Sequence, residues 1–478
     1  MRKIYDVAII GGGVVGAMLF SDLSRAGYKA VLIEKELDVA TGMSKANSGL
    51  VHAGFDAKPN TFKAVMNVRG NKMYPSICKR LGVKLKNCGA FVVGDNLEAI
   101  KDLYNRGVMN GVKDMLVLNR NELLKMLPNI TENITCGLFA KSACIVDPYL
   151  LTICLAEEGV VNGGDIELDF QTKQVVKNNN SFDILSERKI VSARRIINCA
   201  GAGYNDVAKL IGSEEYQTEF RRGEYYVLDN SEGNIVPSTV FPLPTKAGKG
   251  VLVTPTVDGN ILVGPTSYVS DKTTVTTDDG LKDIRAKVST MLNNVNLSKT
   301  IRVFAGVRVI VGEDFVIENS KKVAGVVNVA GICSPGLSAA PAISEYVIKN
   351  LLKAEFKTKE DAVKIKPYLR MNELSLSKQN QLIKENPDYG KIVCKCEGIS
   401  VGEIKDAINR PFRPRTMDGI KRRIRAGMGR CQGGFCSDKV AMILAKENKI
   451  KIEDVVKERK GGYYLLANAQ KRGKVNES

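Results

Sequence analysis

The stretch YDVAIIGGGVVGAMLFSDLSRAGYKAVLIE, residues 5–34, decides the fold class. Tyr5–Ile10 is an apolar run that predicts a buried strand, and the glycines after it predict a tight turn. Val14–Ala26 predicts a helix, and Ala30–Glu34 predicts a second buried strand. A strand, a helix and a second parallel strand form a βαβ unit. The sequence therefore predicts an α/β fold that begins with a Rossmann-like domain.

The glycines of the turn have the spacing GxGxxG, at Gly11, Gly13 and Gly16. The first allows the tight turn, the second lets the backbone approach a pyrophosphate, and the third lets helix and strand pack closely. Glu34, beside Lys35, lies at the end of the second strand and is placed to accept hydrogen bonds from adenosine ribose hydroxyls. A 2′-phosphate would be repelled by this carboxylate, which disfavours NADP. The turn alone leaves FAD and NAD open.

Two later regions favour FAD. The stretch TGMSKANSGLVHAG, residues 41–54, is rich in small and hydroxyl residues, as a flavin buried in the protein requires. GICSPGLSAAPA, residues 331–342, predicts a helix start whose dipole stabilises the negative charge of a reduced flavin. The predicted cofactor-binding residues are Gly11, Gly13, Gly16, Glu34, Lys35, Ser44, Asn47, Ser48, Ala200, Gly201, Gly331, Gly336 and Leu337.

Several longer motifs resemble the D-amino-acid oxidase-like, FAD-dependent oxidoreductases, and among them the glycerol-3-phosphate oxidases and dehydrogenases. The motifs are IIGGGVVG, ANSGLVHAG, NCAGAGYNDVA, RRGEYYVL, GKGVLVTPTVDGNILVGPT, FAGVR and SPGLSAAPA, and the resemblance covers Tyr5 to about Leu352. It implies oxidation of sn-glycerol 3-phosphate to dihydroxyacetone phosphate, with hydride transfer to flavin N5. The L-2-hydroxyglutarate oxidases share SGLVHAG and are the nearest alternative.

His52 is the single histidine of the chain and lies in the segment expected near the flavin. Oxidising an alcohol requires a base for the hydroxyl proton, and imidazole titrates close to working pH. An isolated histidine that only satisfies a backbone group is the ordinary alternative. The resemblance also implies that His52 is the catalytic base, because it matches the histidine of the family motif NSG-x-x-H.

An anionic substrate requires fixed cations, and the resemblance supplies two candidates. Lys249 and Arg308 match positions at which the glycerol-3-phosphate enzymes bind substrate, with Ser48 and Ser334 as hydroxyl contacts. A surface lysine and a structurally paired arginine are the ordinary explanations for such residues. The neighbouring pair at 221 and 222 cannot both face one site, because successive strand residues point to opposite faces.

Four of the eleven cysteines form two close pairs, Cys394 with Cys396 and Cys431 with Cys436. Four thiolates at this spacing suit zinc or a [2Fe–2S] cluster. The CxC spacing disfavours zinc knuckles, and GRCQGGFC after a basic helix resembles the bacterioferritin-associated-ferredoxin-like domain. That resemblance implies a [2Fe–2S] cluster held by these four residues. The other seven cysteines have no ligand spacing and are expected to be reduced thiols.

Charge is concentrated at the C-terminal end. Residues 391–478 contain 21 basic and 10 acidic residues, whereas the whole chain has a net charge of +18. A cluster held by four thiolates is anionic, and a basic surrounding offsets that charge. A nucleic-acid partner is not expected, because the sequence shows no recognisable nucleic-acid-binding fold or aromatic stacking platform.

The predicted organisation combines a Rossmann-like FAD-binding domain, an inserted antiparallel β substrate domain and a small helical Fe–S domain. Residues 1–355 form the oxidoreductase domain, with FAD-binding parts at about 1–90, 145–215 and 300–355 and substrate-domain parts at about 91–144 and 216–299. A linker at 356–390, the [2Fe–2S] domain at 391–445 and a tail at 446–478 follow.

The N-terminus lacks the features of a signal peptide, and no apolar run reaches the roughly 18 residues of a membrane span. We therefore expect a cytoplasmic enzyme, with peripheral contact at the inner face of the cell membrane compatible with its basic charge. Its expected partners are a small anionic substrate and an electron-acceptor protein or quinone-linked subunit. Two alternatives stay open, namely a 2-hydroxy-acid or amino-acid oxidoreductase and a non-catalytic electron-transfer subunit.

Overall fold

A computed structural model describes residues 3–244 and 250–465 of the chain. Internal contacts divide the chain into two compact units. The first contains the chain up to Ile33 and Val39–Ile365, and the second contains Glu34–Asp38 and the chain from Lys366 onward. The boundary near residue 366 lies within the segment 356–390, for which the sequence predicts a linker. No helix among the described residues is both long enough and apolar enough to cross a bilayer.

The described residues form four β-sheets, of eight, nine, three and two strands. In chain order the strands are β1 (Ile4–Ile10), β2 (Ala30–Ile33), β3 (Leu50–Val51), β4 (Leu85–Lys86), β5 (Ala90–Gly94), β6 (Met115–Asn119), β7 (Cys136–Ala140), β8 (Cys144–Val146), β9 (Asp165–Glu167), β10 (Gln174–Lys177), β11 (Phe182–Leu185), β12 (Ile190–Asn198), β13 (Glu219–Leu228), β14 (Thr239–Pro242), β15 (Leu252–Pro255), β16 (Ile261–Gly264), β17 (Tyr268–Val269), β18 (Thr300–Ile310), β19 (Val316–Asn319), β20 (Val326–Ala330), β21 (Ile392–Cys394) and β22 (Ile399–Ser400).

The helices begin at identifiable N-caps in several places. Asp147 caps one through two backbone amides, and Asn119 and Ser400 each form a capping box with the glutamate three residues later. In the described part of the chain the helices are α1 (Val14–Arg25), α2 (Phe62–Leu81), α3 (Leu97–Met109), α4 (Arg120–Met126), α5 (Pro148–Val161), α6 (Tyr204–Ile211), α7 (Asp278–Ser289), α8 (Gly336–Tyr346), α9 (Leu376–Glu385), α10 (Val401–Ile408), α11 (Met417–Ile424) and α12 (Ser437–Asn448).

The eight-stranded sheet contains the predicted βαβ unit. Its parallel strands follow the order β9, β2, β1, β12, β20, and the first two strands and the helix between them end within one residue of the predicted bounds. Ala8 and Ile9 of β1 are fully buried, and each large apolar side chain buried in this way contributes about 1.5–3 kcal/mol. Because the chain passes from β1 to β2 on one side while β12 pairs on the other, a topological switch point lies beside β1.

The nine-stranded sheet is antiparallel except where β14 and β5 run parallel. Its strands come from residues 90–140, 219–269 and 300–310. β18 pairs with β13 along nearly its whole length, so residues 300–310 lie in this sheet, although the sequence places them in a FAD-binding part. The pairing is long-range, which local periodicity does not reveal. The predicted antiparallel β sheet is confirmed together with the α/β class.

Two buried carboxylates connect four helices of the first unit, α1, α2, α5 and α8. Glu158 of α5 accepts two hydrogen bonds from Arg80, at 2.9 and 3.0 Å, and one from Ser21 at 2.5 Å. Asp22 of α1 accepts a hydrogen bond from Ser344 at 2.7 Å. Burial raises the pKa of Asp22 to about 6, against an ordinary value near 3.8. These groups fix α1 against its neighbours. Removing one partner of such a buried pair strongly lowers the free energy of unfolding.

The second unit has its own core beneath a two-stranded sheet, β21 with β22. Ile404, Ile420 and Leu444, from α10, α11 and α12, are fully buried in it. Within this unit the buried carboxylate of Asp38 accepts hydrogen bonds from Arg423 at 2.7 and 3.1 Å and from Arg422 at 3.3 Å. Although burial opposes ionisation, these two guanidinium groups hold the pKa of Asp38 below its ordinary range.

Candidate functional site

The glycine turn lies at the switch point and has no room for side chains at two of its positions. Gly11 has φ +116°, and a Cβ there would lie 2.5 Å from the carbonyl oxygen of Cys199. A Cβ at Gly16 would lie 2.0 Å from the carbonyl oxygen of Gly11. The predicted residues Ala200 and Gly201 follow β12 and form a short 3₁₀ turn beside Gly11. The structure therefore brings these four predicted residues together.

The predicted residues Ser44 and Asn47 lie in a loop packed on this turn. Ser44 Oγ accepts a hydrogen bond from the backbone N–H of Val14, at the first residue of α1, at 2.8 Å. A Cβ on Gly13 would lie 3.2 Å from Ser44 Oγ. Asn47 bridges its own loop, because its amide donates to the Met43 carbonyl and accepts from an N–H two residues onward. The half-buried Ser48 completes the same segment.

Glu34 and Lys35 follow β2 directly and belong to the segment 34–38 of the second unit. Glu34 is buried, at 9% exposure, and its carboxylate accepts a hydrogen bond from the Glu36 N–H at 3.0 Å. Lys35 is exposed. The carboxylate thus occupies the position directly after the second strand that the dinucleotide pattern predicts.

His52 follows β3, and its backbone is fixed from two sides. Its N–H donates to Ser338 Oγ at 2.7 Å, and its carbonyl oxygen accepts from Asn71 Nδ2 at 3.2 Å. The imidazole ring stacks on Phe241, with a centroid distance of 5.9 Å and an interplanar angle of 25°. The half-buried histidine lines a cleft together with Phe55, Asp56, Val92, Phe241, Pro242 and Pro244.

The three residues that position His52 are not identified by the sequence reasoning. Ser338 lies 286 residues from His52 in sequence and is fully buried in α8. Asn71 lies in α2, and Phe241 lies in β14 of the antiparallel sheet. The one available signal is that Ser338 belongs to the quoted motif SPGLSAAPA, whereas nothing local distinguishes Asn71 or Phe241 from core residues.

Arg308 lies on β18 opposite Arg221 of β13. Its guanidinium donates to Ser267 Oγ at 3.1 Å and to the Thr266 carbonyl oxygen at 2.9 Å. Burial raises the pKa of Tyr225, a neighbour on the same face, and the charge of Arg308 partly offsets that rise. Ser267, Thr266 and Tyr225 thus hold Arg308 in place, and a guanidinium held in this way can bind an oxyanion.

The face of the antiparallel sheet that carries Arg308 is the face that meets the cofactor loop. A Cβ on Gly306, two residues from Arg308 on the same strand, would lie 2.3 Å from the carbonyl oxygen of Ala46. Arg222 points to the opposite face, where its Nε lies 2.8 Å from the fully buried carboxylate of Glu224. The expectation that 221 and 222 cannot both face one site therefore agrees with the observed directions.

Of the two remaining predicted substrate-binding residues, one belongs to the part of the chain that the structure describes. Ser334 is exposed and lies between β20 and α8. Lys249 lies outside the described residues. Gly331, Gly336 and Leu337 follow the same strand, and the Leu337 carbonyl oxygen accepts a hydrogen bond from Tyr74 at 2.5 Å. α8 begins at Gly336 with no side-chain cap. The positive end of its dipole points towards the loop that precedes the helix.

Together these features fit a dinucleotide with a flavin. The turn offers backbone N–H groups at a helix N-terminus, and side chains are sterically excluded where it must approach the strand. The loop from Met43 to Gly49 is half-buried and lies between the turn and the antiparallel sheet. FAD would be held by these segments of the first unit.

The four predicted cluster ligands come together in the second unit. Cys396 Sγ and Cys431 Sγ are 3.7 Å apart, and Cys394 and Cys436 are hydrogen-bonded to one another. Cys394 ends β21, and Cys436 is the N-cap of α12. Over the described ranges, no three His, Cys, Asp or Glu side chains are arranged to bind one metal ion. Two thiol pairs that share one pocket fit the donor set of a two-iron cluster.

Several groups around these sulfurs stabilise thiolates. The hydrogen bond from Cys436 is the main cause that lowers the pKa of Cys394 to about 6. Backbone N–H groups of Phe435 and Gly433 lower the pKa of Cys431. The hydrogen bond to Cys394 and burial raise the pKa of Cys436, and burial and the neighbouring sulfurs raise the pKa of Cys396, so each metal-free pair favours one thiolate. Thiolate is the form that binds metal, and binding by all four sulfurs therefore releases protons.

The basic residues before the second cysteine pair are mostly not on the surface. Arg422 and Arg423 are 5% and 0% exposed and pair with Asp38, as described above. Arg425 donates from Nε to Glu397 at 2.7 Å. Part of the positive charge that the sequence assigns to a surface beside the cluster is therefore neutralised inside the unit.

Comparison with known proteins agrees with both sites. Residues 6–349 match the family described as FAD dependent oxidoreductase, and residues 392–446 match the BFD-like [2Fe-2S] binding domain. The first match spans more than half of the chain. The second spans all four cysteines of the cluster site.

Individual relatives extend this result. A glycerol 3-phosphate dehydrogenase of Caloramator mitchellensis is 42% identical over 472 residues, which cover 97% of this chain and 98% of that protein. The glycerol 3-phosphate oxidase of Mycoplasma pneumoniae is 31% identical and covers 72% of this chain and 94% of its own length. A solved structure of L-alpha-glycerophosphate oxidase from the same organism, with FAD bound, matches 76% of this chain and 98% of its own with a TM-score of 0.72. The resemblance seen in the motifs is confirmed, and the chain belongs to the FAD dependent oxidoreductase family and carries a BFD-like [2Fe-2S] binding domain.

Proposed function

We propose that this enzyme oxidises sn-glycerol 3-phosphate to dihydroxyacetone phosphate and passes the electrons through its [2Fe–2S] cluster to a separate acceptor. The main support is the relative from Caloramator mitchellensis, which matches along 97% of the chain and therefore includes the cysteine domain. L-2-hydroxyglutarate dehydrogenases are also similar, but the first of these covers only 56% of the chain. Glycerol 3-phosphate is therefore the better-supported substrate.

His52 is the proposed base. The substrate carbon that loses hydride carries a hydroxyl whose proton must leave, and a neutral imidazole accepts it. The hydrogen bond that His52 N–H donates to Ser338 and the one that its carbonyl accepts from Asn71 fix its backbone, and the stacked Phe241 restricts its ring. When bound, FAD supplies the acceptor for the hydride. A fixed ring reduces the conformational entropy lost when the substrate is held for reaction.

Arg308 and Lys249 are the proposed phosphate-binding residues, with Ser48 and Ser334 as hydroxyl contacts. Support for Arg308 comes from its face, which meets the loop that precedes His52, and from the small residues Gly306 and Gly223 beside it. A guanidinium fork matches two phosphate oxygens, whereas the ammonium of a lysine acts as a point charge. Lys249 rests on the motif alone.

The test is anaerobic addition of substrate to the purified protein while the flavin absorbance is recorded. Bleaching by sn-glycerol 3-phosphate, and none by L-2-hydroxyglutarate or amino acids, is the expected result. Bleaching by another hydroxy acid would transfer the proposal to that substrate. A flavin that no candidate reduces would favour an electron-transfer subunit without catalysis.

A further inference from the structure

An exposed aromatic side chain lies inside the cysteine motif itself. Phe435 is 87% exposed, whereas the large hydrophobic residues of the same unit's core are at most a few per cent exposed. It lies directly before the ligand Cys436, and its backbone N–H is hydrogen-bonded to Cys431. The cluster loop therefore holds an apolar ring in solvent at a fixed place beside the metal site.

The surface around Phe435 combines exposed sulfur with positive charge. Cys396 is exposed, and the exposed side chains of Lys395, Arg430 and Lys439 adjoin the four ligands in sequence. Nearby acids have partners inside the unit, because Glu397 is bound by Arg425 and Asp438 accepts a hydrogen bond from the hydroxyl of Tyr464. We name Lys395, Cys396, Arg430, Phe435 and Lys439 the cluster rim.

We propose that the cluster rim is the docking site of an acidic, one-electron carrier protein, with Phe435 as its apolar centre. This proposal rests on the proposed function. Transient redox interfaces are small, and interfaces in general combine an apolar centre with a polar rim. Complementary charge around that centre steers the partner and raises its association rate.

A protein fits the cluster rim better than a bilayer does. Interfacial membrane helices present a long apolar face. In α12, which begins beside Phe435, the solvent side carries the charged side chains of Asp438, Lys439 and Lys446, with Met442 between them. One ring surrounded by charges is the pattern of an interaction hot spot between proteins.

The electron count determines what the carrier does. Oxidation of one glycerol 3-phosphate to dihydroxyacetone phosphate releases two electrons and two protons. A one-electron carrier leaves each encounter reduced by a single electron. Two oxidised carrier molecules are therefore converted to two reduced ones for each substrate, and both protons go to solvent.

Plastocyanin, an acidic copper protein, and cytochrome c, a basic haem protein, are suitable probes because each accepts one electron with a visible colour change. Equilibrium binding of each probe to the fully oxidised protein is measured by calorimetry, and reduction by the substrate-reduced protein is measured by stopped flow. Phe435→Ser is expected to weaken plastocyanin binding and its second-order reduction rate about tenfold or more, the scale of a hot-spot residue. Phe435→Trp is expected to retain both.

Charge reversal in the cluster rim gives a second test that is independent of Phe435. The double variant Lys395→Glu with Lys439→Glu is expected to slow plastocyanin, accelerate cytochrome c and invert the ionic-strength dependence of both rates. Leu376→Ser is the matched apolar control, because Leu376 is 76% exposed on α9 of the same unit. Lys378→Glu with Lys384→Glu, also exposed on α9, is the matched charge control. Neither control is expected to change binding or rate.

Two further measurements separate this proposal from the proposed function. Cluster spectra, by circular dichroism and electron paramagnetic resonance, verify that each variant holds its cluster and that substrate reduces it when no carrier is present. Flavin bleaching without cluster reduction would overturn the proposed electron route, and the docking proposal with it. Normal cluster reduction in Phe435→Ser, together with unchanged plastocyanin binding and rate, would overturn docking alone. The docking proposal would also be overturned if the sole effect of Phe435→Ser were loss of binding to phosphatidylcholine–phosphatidylglycerol vesicles or loss of self-association.

Discussion

The two cofactor sites of this chain are built from different parts of the polypeptide. At the glycine turn the backbone forms the proposed binding surface. Its N–H groups would face the cofactor, and side chains are excluded where a Cβ would collide with neighbouring backbone. At the cysteine site four side chains are the proposed ligands, and the backbone directs N–H groups at one of their sulfurs, that of Cys431. A site formed by backbone should lose cofactor affinity when a side-chain atom is added to it. A site formed by side-chain ligands should lose its cofactor when a single ligand atom is replaced.

The largest effect is expected at the side-chain site. Cys431→Ser should lose most of the iron and labile sulfide, because the ligands belong to one site and the cluster is assembled only when all are present. FAD content and flavin reduction by substrate should stay normal. Metal and sulfide analysis of anaerobically purified protein measures the effect, and Cys88→Ser, at a half-buried thiol of the first unit, is the control. A zinc ion with no iron in the parent protein would contradict the assignment.

The matching change at the backbone site adds one methyl group. Gly16→Ala places a Cβ 2.0 Å from the Gly11 carbonyl oxygen, and overpacking of this kind costs roughly 1–3 kcal/mol. We expect FAD affinity to fall about 10- to 100-fold, measured by fluorescence titration of the apoprotein. Gly42→Ala is the control, since nothing lies within 4 Å of a Cβ there. Equal affinity in both variants would disprove the steric argument.

A third change removes the proposed base and leaves both cofactor sites intact. His52→Ala should slow flavin reduction by substrate about 10²-fold or more, the usual scale of general-base catalysis, while FAD content stays normal. Anaerobic stopped flow measures the rate. Added imidazole should restore part of it, because the cleft beside Phe241 would then be open. A rate close to that of the parent would remove His52 from the chemistry.

A smaller effect is expected from the proposed phosphate anchor. Arg308→Ala should raise KM for glycerol 3-phosphate about 10- to 100-fold, as expected when charge-assisted hydrogen bonds of roughly 1.5–3 kcal/mol are lost. Arg308→Lys should recover part of the loss, because the charge remains and the fork does not. Arg302→Ala, at an exposed arginine of the same strand, is the control. If both alanine variants behave alike, the phosphate binds elsewhere.

The smallest effect concerns stability and pH. Folding raises the pKa of Asp22 to about 6 through burial, so the folded state binds this proton more tightly than the unfolded chain does. Its contribution is complete below about pH 4 and is lost as pH rises through 6, by at most about 3 kcal/mol. Asp22→Asn should therefore reduce the fall in thermal midpoint between pH 4 and pH 7. Asp102→Asn, at an exposed residue of α3, should leave that fall unchanged.

The same contrast explains what the sequence could predict. Local patterns predict β1, α1 and β2 to within one residue, because continuous apolar runs and the glycines that bound them are local properties of the sequence. The spacing of the cysteines predicts the two pairs, since short spacings keep thiols close together in any fold, and the four remain the predicted ligands.

Long-range contacts were not accessible to the same reasoning. The contact between Ser338 and the His52 backbone spans 286 residues, and the pairing of β18 with β13 spans about 80. Arg422 and Arg423 look like surface charge in a basic run, yet both are buried against Asp38. No pattern near residue 422 indicates that its partner lies 384 residues earlier in the chain.

The buried ion pairs of Asp38 with Arg422 and Arg423 limit where the chain can be truncated. Asp38 is placed in the second unit by Arg422 and Arg423, although it follows β2 by only five residues. A protein shortened before Lys366 would retain Asp38 but lose both guanidinium groups and the other residues of the second unit, so the segment 34–38 would lose the contacts that hold it. Such a deletion is therefore not a clean excision of an accessory module. Comparing it with the intact enzyme would confound loss of the cluster with damage to the segment that carries Glu34.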